Sequence, residues 1–466
     1  MDKPQPNASE RAKPSATPTV STRLADGTLV EMVYRKPENR TLFCLARDGV
    51  IRYEPAVTVG DDKLVPYSAK NNLLKHEVVL LPSEAAEYGN QAELLGRIRA
   101  FIHRYVDVAP NFEEIASCYV LFTWVYDSFN ELPYLRLRGD AGTGKTRFLL
   151  TVGSLCYKPI FASGASTVSP LFRILDAFQG TLLVDEGDFR FSDEKTEIVK
   201  ILNNGNARGF PVLRSEAVNG KEFSPRAFSV FGPKLVATRG YFEDRALESR
   251  CLTENTGGQS LRTDIPLNLT EEYRKESLVL RNQLLMYRLQ NVDRHEINPE
   301  LRDRTIEPRL AQVFLPLLSV IEDDASRQTL LAAAKNFHRE LVADRGMDRE
   351  AAVLEIVKEL RESAGGAPIS IKAIAIGLAE RVGDDWDRKI TPHWVGYLLR
   401  RKLGLRTEKR HGSFVIAETE GAKLASLFTR YGIGPASGDL GDLGDFARTG
   451  SAPESAMQGP SELPAL

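Results

Sequence analysis

The chain is poor in the residues that build metal and disulfide frameworks. In 466 residues it has four cysteines and six histidines. Cys44, Cys118, Cys156 and Cys251 are scattered with no C-x-x-C pair, and the histidines do not cluster. That argues against a zinc site and for a reducing, cytoplasmic setting. Long apolar runs are also missing: none approaches the ~20 residues of a membrane span. The N-terminus, MDKPQPNASERAKPSATPTVS, lacks the apolar core of a signal peptide, so no membrane is expected among the partners. Nor is there an excess of one charge. The net charge is −2, so any nucleic-acid surface has to be local. The length suits about three domains.

What is present is one specific stretch, YLRLRGDAGTGKT at 134–146. Gly139, Asp140, Ala141, Gly142, Thr143, Gly144, Lys145 and Thr146 form a G-x-x-x-x-G-K-[ST] loop. Successive backbone N–H groups of such a loop wrap a phosphate, and side chains at the glycine positions would block the wrap. Lys145 supplies a mobile cation for the outer phosphates, and the Thr146 hydroxyl can hold Mg²⁺. The apolar run before it predicts a strand. TRFLLTVGSLC after it predicts a helix whose N-terminus faces the anion. ATP with Mg²⁺ is the expected ligand.

Forty residues beyond Lys145, Thr181-Leu182-Leu183-Val184 ends in Asp185-Glu186. A buried parallel strand releases its acids at the carboxyl end, where α/β sheets bind ligands. Asp185 suits Mg²⁺, and Glu186 suits polarising a water. Next comes a helical pattern at 193–204, then strand, turn, strand, strand. Asn219-Gly220 is the favoured two-residue hairpin turn, with Lys221 at or beside its tip. Pro233 to Thr238 reads as a core strand whose Thr238 can approach the γ-phosphate. Arg250 follows in ALESRC, so soon after that strand that it lies on the far side from its own phosphates, placed to reach a neighbour. The alternative for Arg250 is a surface salt bridge.

The ordered set GDAGTGKT, LLVDEGD, LVATRG and ALESRC resembles the AAA+ ATPases. Within them it is most similar to minichromosome-maintenance and superfamily 3 helicases, and to primase-associated helicases of phages, plasmids and mobile islands. The likeness spans about residues 134 to 345. It implies that Asp185 and Glu186 form the acidic motif and that Ala246-Leu247-x-Ser249-Arg250 carries the arginine finger. It also implies that the Lys221 hairpin grips DNA in a ring channel, and that Arg309 in Glu307-Pro308-Arg309-Leu310 is the second sensor. The usual first-sensor asparagine is replaced by Thr238 or Arg239, and zinc ligands are missing from the N-terminal region.

The expected architecture is an α/β AAA+ P-loop module, a parallel sheet between helices. Disordered tails are expected at 1–20 and 433–466. A small β-rich domain is expected at 21–86 and a helical connector at 87–133. The ATPase core falls at 134–265, a helical lid at 266–345 and a winged helix at 346–432. In the connector, Tyr119, Phe122, Trp124 and Tyr126 read as core. In the winged helix, eight Lys or Arg between Arg388 and His411 stand against one acid, Glu408. Arg400, Arg401, Lys402, Lys409 and Arg410 belong to that basic stripe, which would meet a duplex or, alternatively, a protein. The expected function is an ATP-driven, ring-forming, hexameric DNA helicase or translocase for a mobile element or phage. A fork or single strand would lie in its channel, with a primase or other replication protein as partner. The alternatives are an ATP-switched initiator or loader and a defence-system scaffold.

Overall fold

A computed structural model describes residues 16–162, 168–185, 193–218, 222–242, 244–257, 262–346, 349–363, 368–382, 390–410 and 412–433. Glu186, Lys221, Arg388, Lys389 and His411 fall outside these. The chain divides into two compact units between Asn336 and Phe337. The boundary lies inside the helix Asp324–Gly346. No helix among the described residues is long and apolar enough to cross a membrane.

The first unit is built on a five-stranded parallel sheet. Its strands in chain order are β1 (Tyr134–Arg138), β2 (Ile160–Ala162), β3 (Leu182–Val184), β4 (Lys234–Thr238) and β5 (Cys251–Asn255). They lie side by side in the order β5-β1-β4-β3-β2. The central strands are short and apolar because both faces are covered: every residue of β3 and β4 is buried. Val184, Val236 and Arg136 stand level across the middle three strands. All strands run the same way, so the loops after β1, β4 and β3 open at one end in a row, and strand order reverses there around β1. That is where an open α/β sheet takes a ligand.

The N-terminal residues form a four-stranded antiparallel sheet from Ser21 to Glu54 and a three-stranded one from Ala16–Thr19, Val57–Val59 and Asp62–Pro66. They share one buried apolar cluster with the central sheet: Val30, Met32 and Phe43 lie in it with Ile160 and Leu182. Val79 also bridges Ile160 in antiparallel fashion, covering the exposed edge of β2. A buried charge network closes the junction. The Glu31 carboxylate accepts from the Tyr157 hydroxyl (2.8 and 2.9 Å), lies 3.1 Å from Lys158 Nζ, and accepts from Arg288 Nε at 2.7 Å. Arg288 also forks onto Asp127 at 2.7 and 2.8 Å.

The helices Gln91–Tyr105 and Pro110–Thr123 precede β1. Tyr119, Phe122, Trp124 and Tyr126 are all buried, as their pattern implies. The Tyr119 hydroxyl donates to the Lys234 carbonyl and accepts the Lys234 N–H, locking this helical layer to β4. The helix Glu271–Asn291 lies against the helix that follows the phosphate loop, where Tyr273 donates to the Leu150 carbonyl at 2.7 Å and Arg281 to the Ser154 carbonyl at 2.9 Å.

The second unit has its own core. Helices Arg349–Ser363, Ile371–Val382 and Pro392–Tyr397 enclose Leu354, Ile374, Leu378 and Val395. The last helix continues as a wider π-type turn, Leu398–Lys402. A hairpin of Thr407–Arg410 and Ser413–Ile416 follows, then the helix Gly421–Arg430.

Candidate nucleotide site

The phosphate loop joins β1 to the helix Lys145–Leu155. Gly142 and Gly144 have φ of +81° and +84°, backbone that other residues rarely adopt. Gly139 is needed for a different reason. A Cβ there would stand 2.2 Å from Thr256 Oγ1 and 2.6 Å from its carbonyl. Thr256, directly after β5, braces the loop: its hydroxyl lies 2.8 Å from Thr143 Oγ1 and its N–H donates to the Arg138 carbonyl at 2.7 Å. Thr143 in turn donates to the Asp140 carbonyl at 2.8 Å. Sequence reasoning missed Thr256, because only sheet topology brings residue 256 beside residue 139.

Lys145 is buried, and its ammonium donates to the Gly139 and Asp140 carbonyls at 2.7 and 2.6 Å. Asp140 and Ala141 are exposed on the loop's outer side. The Thr146 hydroxyl donates to Asp185 Oδ2 at 2.7 Å. Residues 39 apart in sequence thus present two hard oxygen donors at one point, a set that suits Mg²⁺. Asp185 is the residue after β3, and its N–H is held by the Ala162 carbonyl of β2.

Thr238 ends β4, the strand between β1 and β3. Its carbonyl accepts from Gly139 N–H at 3.1 Å, tying it to the phosphate loop. Its hydroxyl is buried and has no hydrogen-bond partner among the described residues. An unpaired buried hydroxyl costs about 1–3 kcal/mol, and this one stands beside the loop. Arg239, the other sensor candidate, is exposed.

Arg250 sits at the opposite end of the sheet. Its carbonyl accepts the N–H of Tyr134, the first residue of β1, at 2.9 Å. The phosphate loop begins after the last residue of β1, roughly 15 Å away at ~3.3 Å per residue. Arg250 therefore does not reach its own phosphate loop. Asn203, at the end of the helix Asp193–Asn204, accepts from the Arg250 guanidinium while its amide donates to Asp244 Oδ2 at 2.6 Å. Asp244 caps the short helix Arg245–Glu248 through the N–H groups of Ala246 and Leu247.

Arg309 lies on this same side. It opens the helix Pro308–Val320, with Pro308 at the first position. Burial, and then the like charge of Arg250, hold its guanidinium below the ordinary range, opposed by Glu131, which precedes β1. The two arginines thus belong to one cluster at the amino end of β1.

A further pair joins the two ends. Arg136, in the middle of β1, is fully buried and forks onto the Glu248 carboxylate, with Nη1 to Oε2 at 2.8 Å. It also donates to Thr253 Oγ1 at 3.0 Å and lies over the Phe242 ring at 4.7 Å. Burial opposes the charge, yet Glu248 and its neighbours hold the Arg136 pKa above the usual arginine value. Glu248 lies two residues before Arg250. The short helix that ends just before Arg250 is therefore pinned to the strand that leads into the phosphate loop.

The hairpin Val212–Val218 and Glu222–Phe228 pairs over seven rungs and closes at Val218–Glu222. The turn expected at Asn219-Gly220, with Lys221 at or beside its tip, falls between these strands. All three lie outside the described residues, as does Glu186.

In the second unit Arg400, Arg401, Lys402 and Lys409 are exposed. Arg410 is engaged instead: Nε lies 2.6 Å from Glu408 and Nη1 2.6 Å from Glu418. Its charge is largely compensated, whereas the other four have no ion pair among the described residues.

No family model and no curated protein matches the chain. Solved structures do resemble it. The C-terminal region of NrS-1 is 12% identical, covers 83% of this chain and 95% of its own, and gives a TM-score of 0.39. Cch of SCCmec type IV, an active helicase, is 13% identical over 88% of this chain and 80% of its own, at a TM-score of 0.39. A full-length MCM homologue from Methanopyrus kandleri is 13% identical over 67% and 73%, at 0.33. At these values the likenesses carry no chemistry to this chain, and the functional reading rests on its own residues.

Proposed function

We propose that the chain is an ATPase that assembles through heterologous contacts into a ring, a hexamer in our reading, and moves along or unwinds DNA. ATP is cradled by Gly139 to Thr146, with Lys145 released from its loop carbonyls to the outer phosphates. Thr146 and Asp185 would hold Mg²⁺, which would neutralise the β- and γ-phosphate oxygens. Glu186 orients the attacking water, and the Thr238 hydroxyl finds its partner on the γ-phosphate or that water. Arg250, with Arg309, completes the site of the next subunit. Lys221 tracks the DNA backbone, and Arg400, Arg401, Lys402 and Lys409 anchor a duplex on a winged helix. A mobile element or phage, with a primase as partner, is the setting we favour.

The observation that carries this reading is the placement of Lys145 and Arg250 at opposite ends of β1. One copy then holds half of each of two different sites, which suits a head-to-tail assembly. The test is ATP hydrolysis and displacement of a labelled strand from a fork by the purified protein. Hydrolysis stimulated by DNA, strand release, and loss of both in Lys145→Ala are expected. Glu186→Gln should bind ATP and hydrolyse it very slowly. A protein that hydrolyses ATP equally with and without DNA and releases no strand would favour the loader reading.

A further inference from the structure

The hairpin of the second unit has two unlike faces. In an antiparallel ladder, residues directly opposite each other share a face. Lys409 pairs with Phe414 and Thr407 with Ile416; Glu408 pairs with Val415 and Arg410 with Ser413. The second set holds the compensated charges, Arg410 with Glu408 and Glu418. The first set runs from the core at Ile416, which is buried, towards the tip, where Lys409 and Phe414, one pair before the closing Arg410–Ser413 pair, are in solvent. Phe414 is 54% exposed.

Arg400 continues this first face. Its Nη1 donates to Thr407 Oγ1 at 3.2 Å, which brings the last helix and the hairpin together. The guanidinium also packs over Gly396, where a Cβ would lie 3.0 Å from the same Nη1. Tyr397, one turn before Arg400, is 52% exposed. The result is a run of Tyr397, Arg400, Lys409 and Phe414 that joins exposed rings to cations with no acidic partner among the described residues.

A surface that only tracked duplex phosphates would need the cations and not a phenyl ring at the hairpin tip. Ring and cation together match a nucleic acid with an accessible base face, because every base stacks and every phosphate is anionic. We infer that Phe414 is a stacking platform for an unpaired base, with Lys409 and Arg400 holding the flanking phosphates, so that this unit distinguishes single strands and junctions from closed duplex. The inference rests on the nucleic-acid reading above.

The test uses the full chain without nucleotide and three labelled probes of one sequence: a single strand, a blunt duplex and a fork. Phe414→Ala should lose about tenfold or more on single strand and fork, and less than twofold on duplex. Its salt dependence should be unchanged, because no charge is removed. Phe414→Trp should restore affinity and add, over the fluorescence of the three native tryptophans, a component that single strand quenches beyond any quenching in the wild type. Arg401→Gln/Lys402→Gln should weaken all three probes and flatten the salt dependence. If Phe414→Ala binds all three as the wild type does and the new tryptophan is not quenched, the platform is refuted while the nucleic-acid reading stands. Equal loss on all three probes also refutes it. If the wild type binds no probe at low salt, the nucleic-acid reading itself fails, and the face is a protein contact.

Discussion

Thr238 is costly to the fold and, under the proposed function, useful to the site. Its buried hydroxyl has no hydrogen-bond partner among the described residues, so replacing it with valine keeps the shape and removes the unpaired group. Thr238→Val should leave the melting temperature unchanged or raise it, while ATP hydrolysis falls tenfold or more; calorimetry and a phosphate-release assay check both. Lower stability with normal hydrolysis would make the hydroxyl structural. Lys234 is a second costly residue. It is fully buried, its ammonium donates to the Val230 and Gly232 carbonyls, and burial pulls its pKa down to about 7. Between pH 7 and its unfolded value near 10.5 the unfolded chain binds the extra proton, so stability should rise with pH across that window, by up to about 1.4 kcal/mol per pH unit. Lys158, lowered to about 8 by burial, works in the same direction. Urea midpoints between pH 7 and 9.5 should therefore climb less steeply in Lys234→Met. Thr146 and Asp185 could be found from sequence because each sits at a fixed step from a recognisable pattern. Thr256 and Asn203 could not, because their roles are contacts across more than 40 residues with no local signature.

Among the elements, the helix Arg245–Glu248 has only four residues and is too short to hold itself. It is held by the Asp244 cap at one end and the Arg136–Glu248 pair at the other. Arg136 is fully buried and Glu248 half-buried, so removing Glu248 leaves a buried charge uncompensated, a loss of up to about 3–5 kcal/mol. Glu248→Ala should show that loss in urea unfolding. Arg136→Met/Glu248→Leu should recover most of the stability and still hydrolyse poorly, since the helix that aims Arg250 is no longer tied to β1. Full hydrolysis in the double variant would reduce the pair to a packing role. The motif ALESRC contains Glu248, but sequence alone gave it no part, because its partner is in the middle of a strand more than 100 residues earlier. Apolar periodicity was enough for the helices 193–204 and 349–363, and for the second hairpin, which closes at Arg410–Ser413 as Gly412 suggests. For the first hairpin the two strands were legible in the same way, and its turn lies outside the described residues.

For the molecule as a whole, the parallel order β5-β1-β4-β3-β2 decides what one copy can do. It collects the phosphate loop, Asp185 and Thr238 at one end and sends Arg250 and Arg309 to the other. The parallel sheet was foreshadowed by apolar strands alternating with helical patterns. The N-terminal strands were foreseen too, but not their share in the central core, which depends on Glu31 meeting Lys158, Arg288 and Tyr157 from distant segments. The central claim is that a working site needs two copies, one giving Lys145 and the other Arg250. The direct measurement is ATP hydrolysis by Arg250→Ala, by Lys145→Ala and by their equal mixture, at concentrations where both co-assemble. Each variant alone should be inactive. The mixture should regain activity, because in a head-to-tail ring about a quarter of the interfaces pair an intact loop with an intact arginine. A co-assembled mixture that stays as inactive as its components would contradict the account.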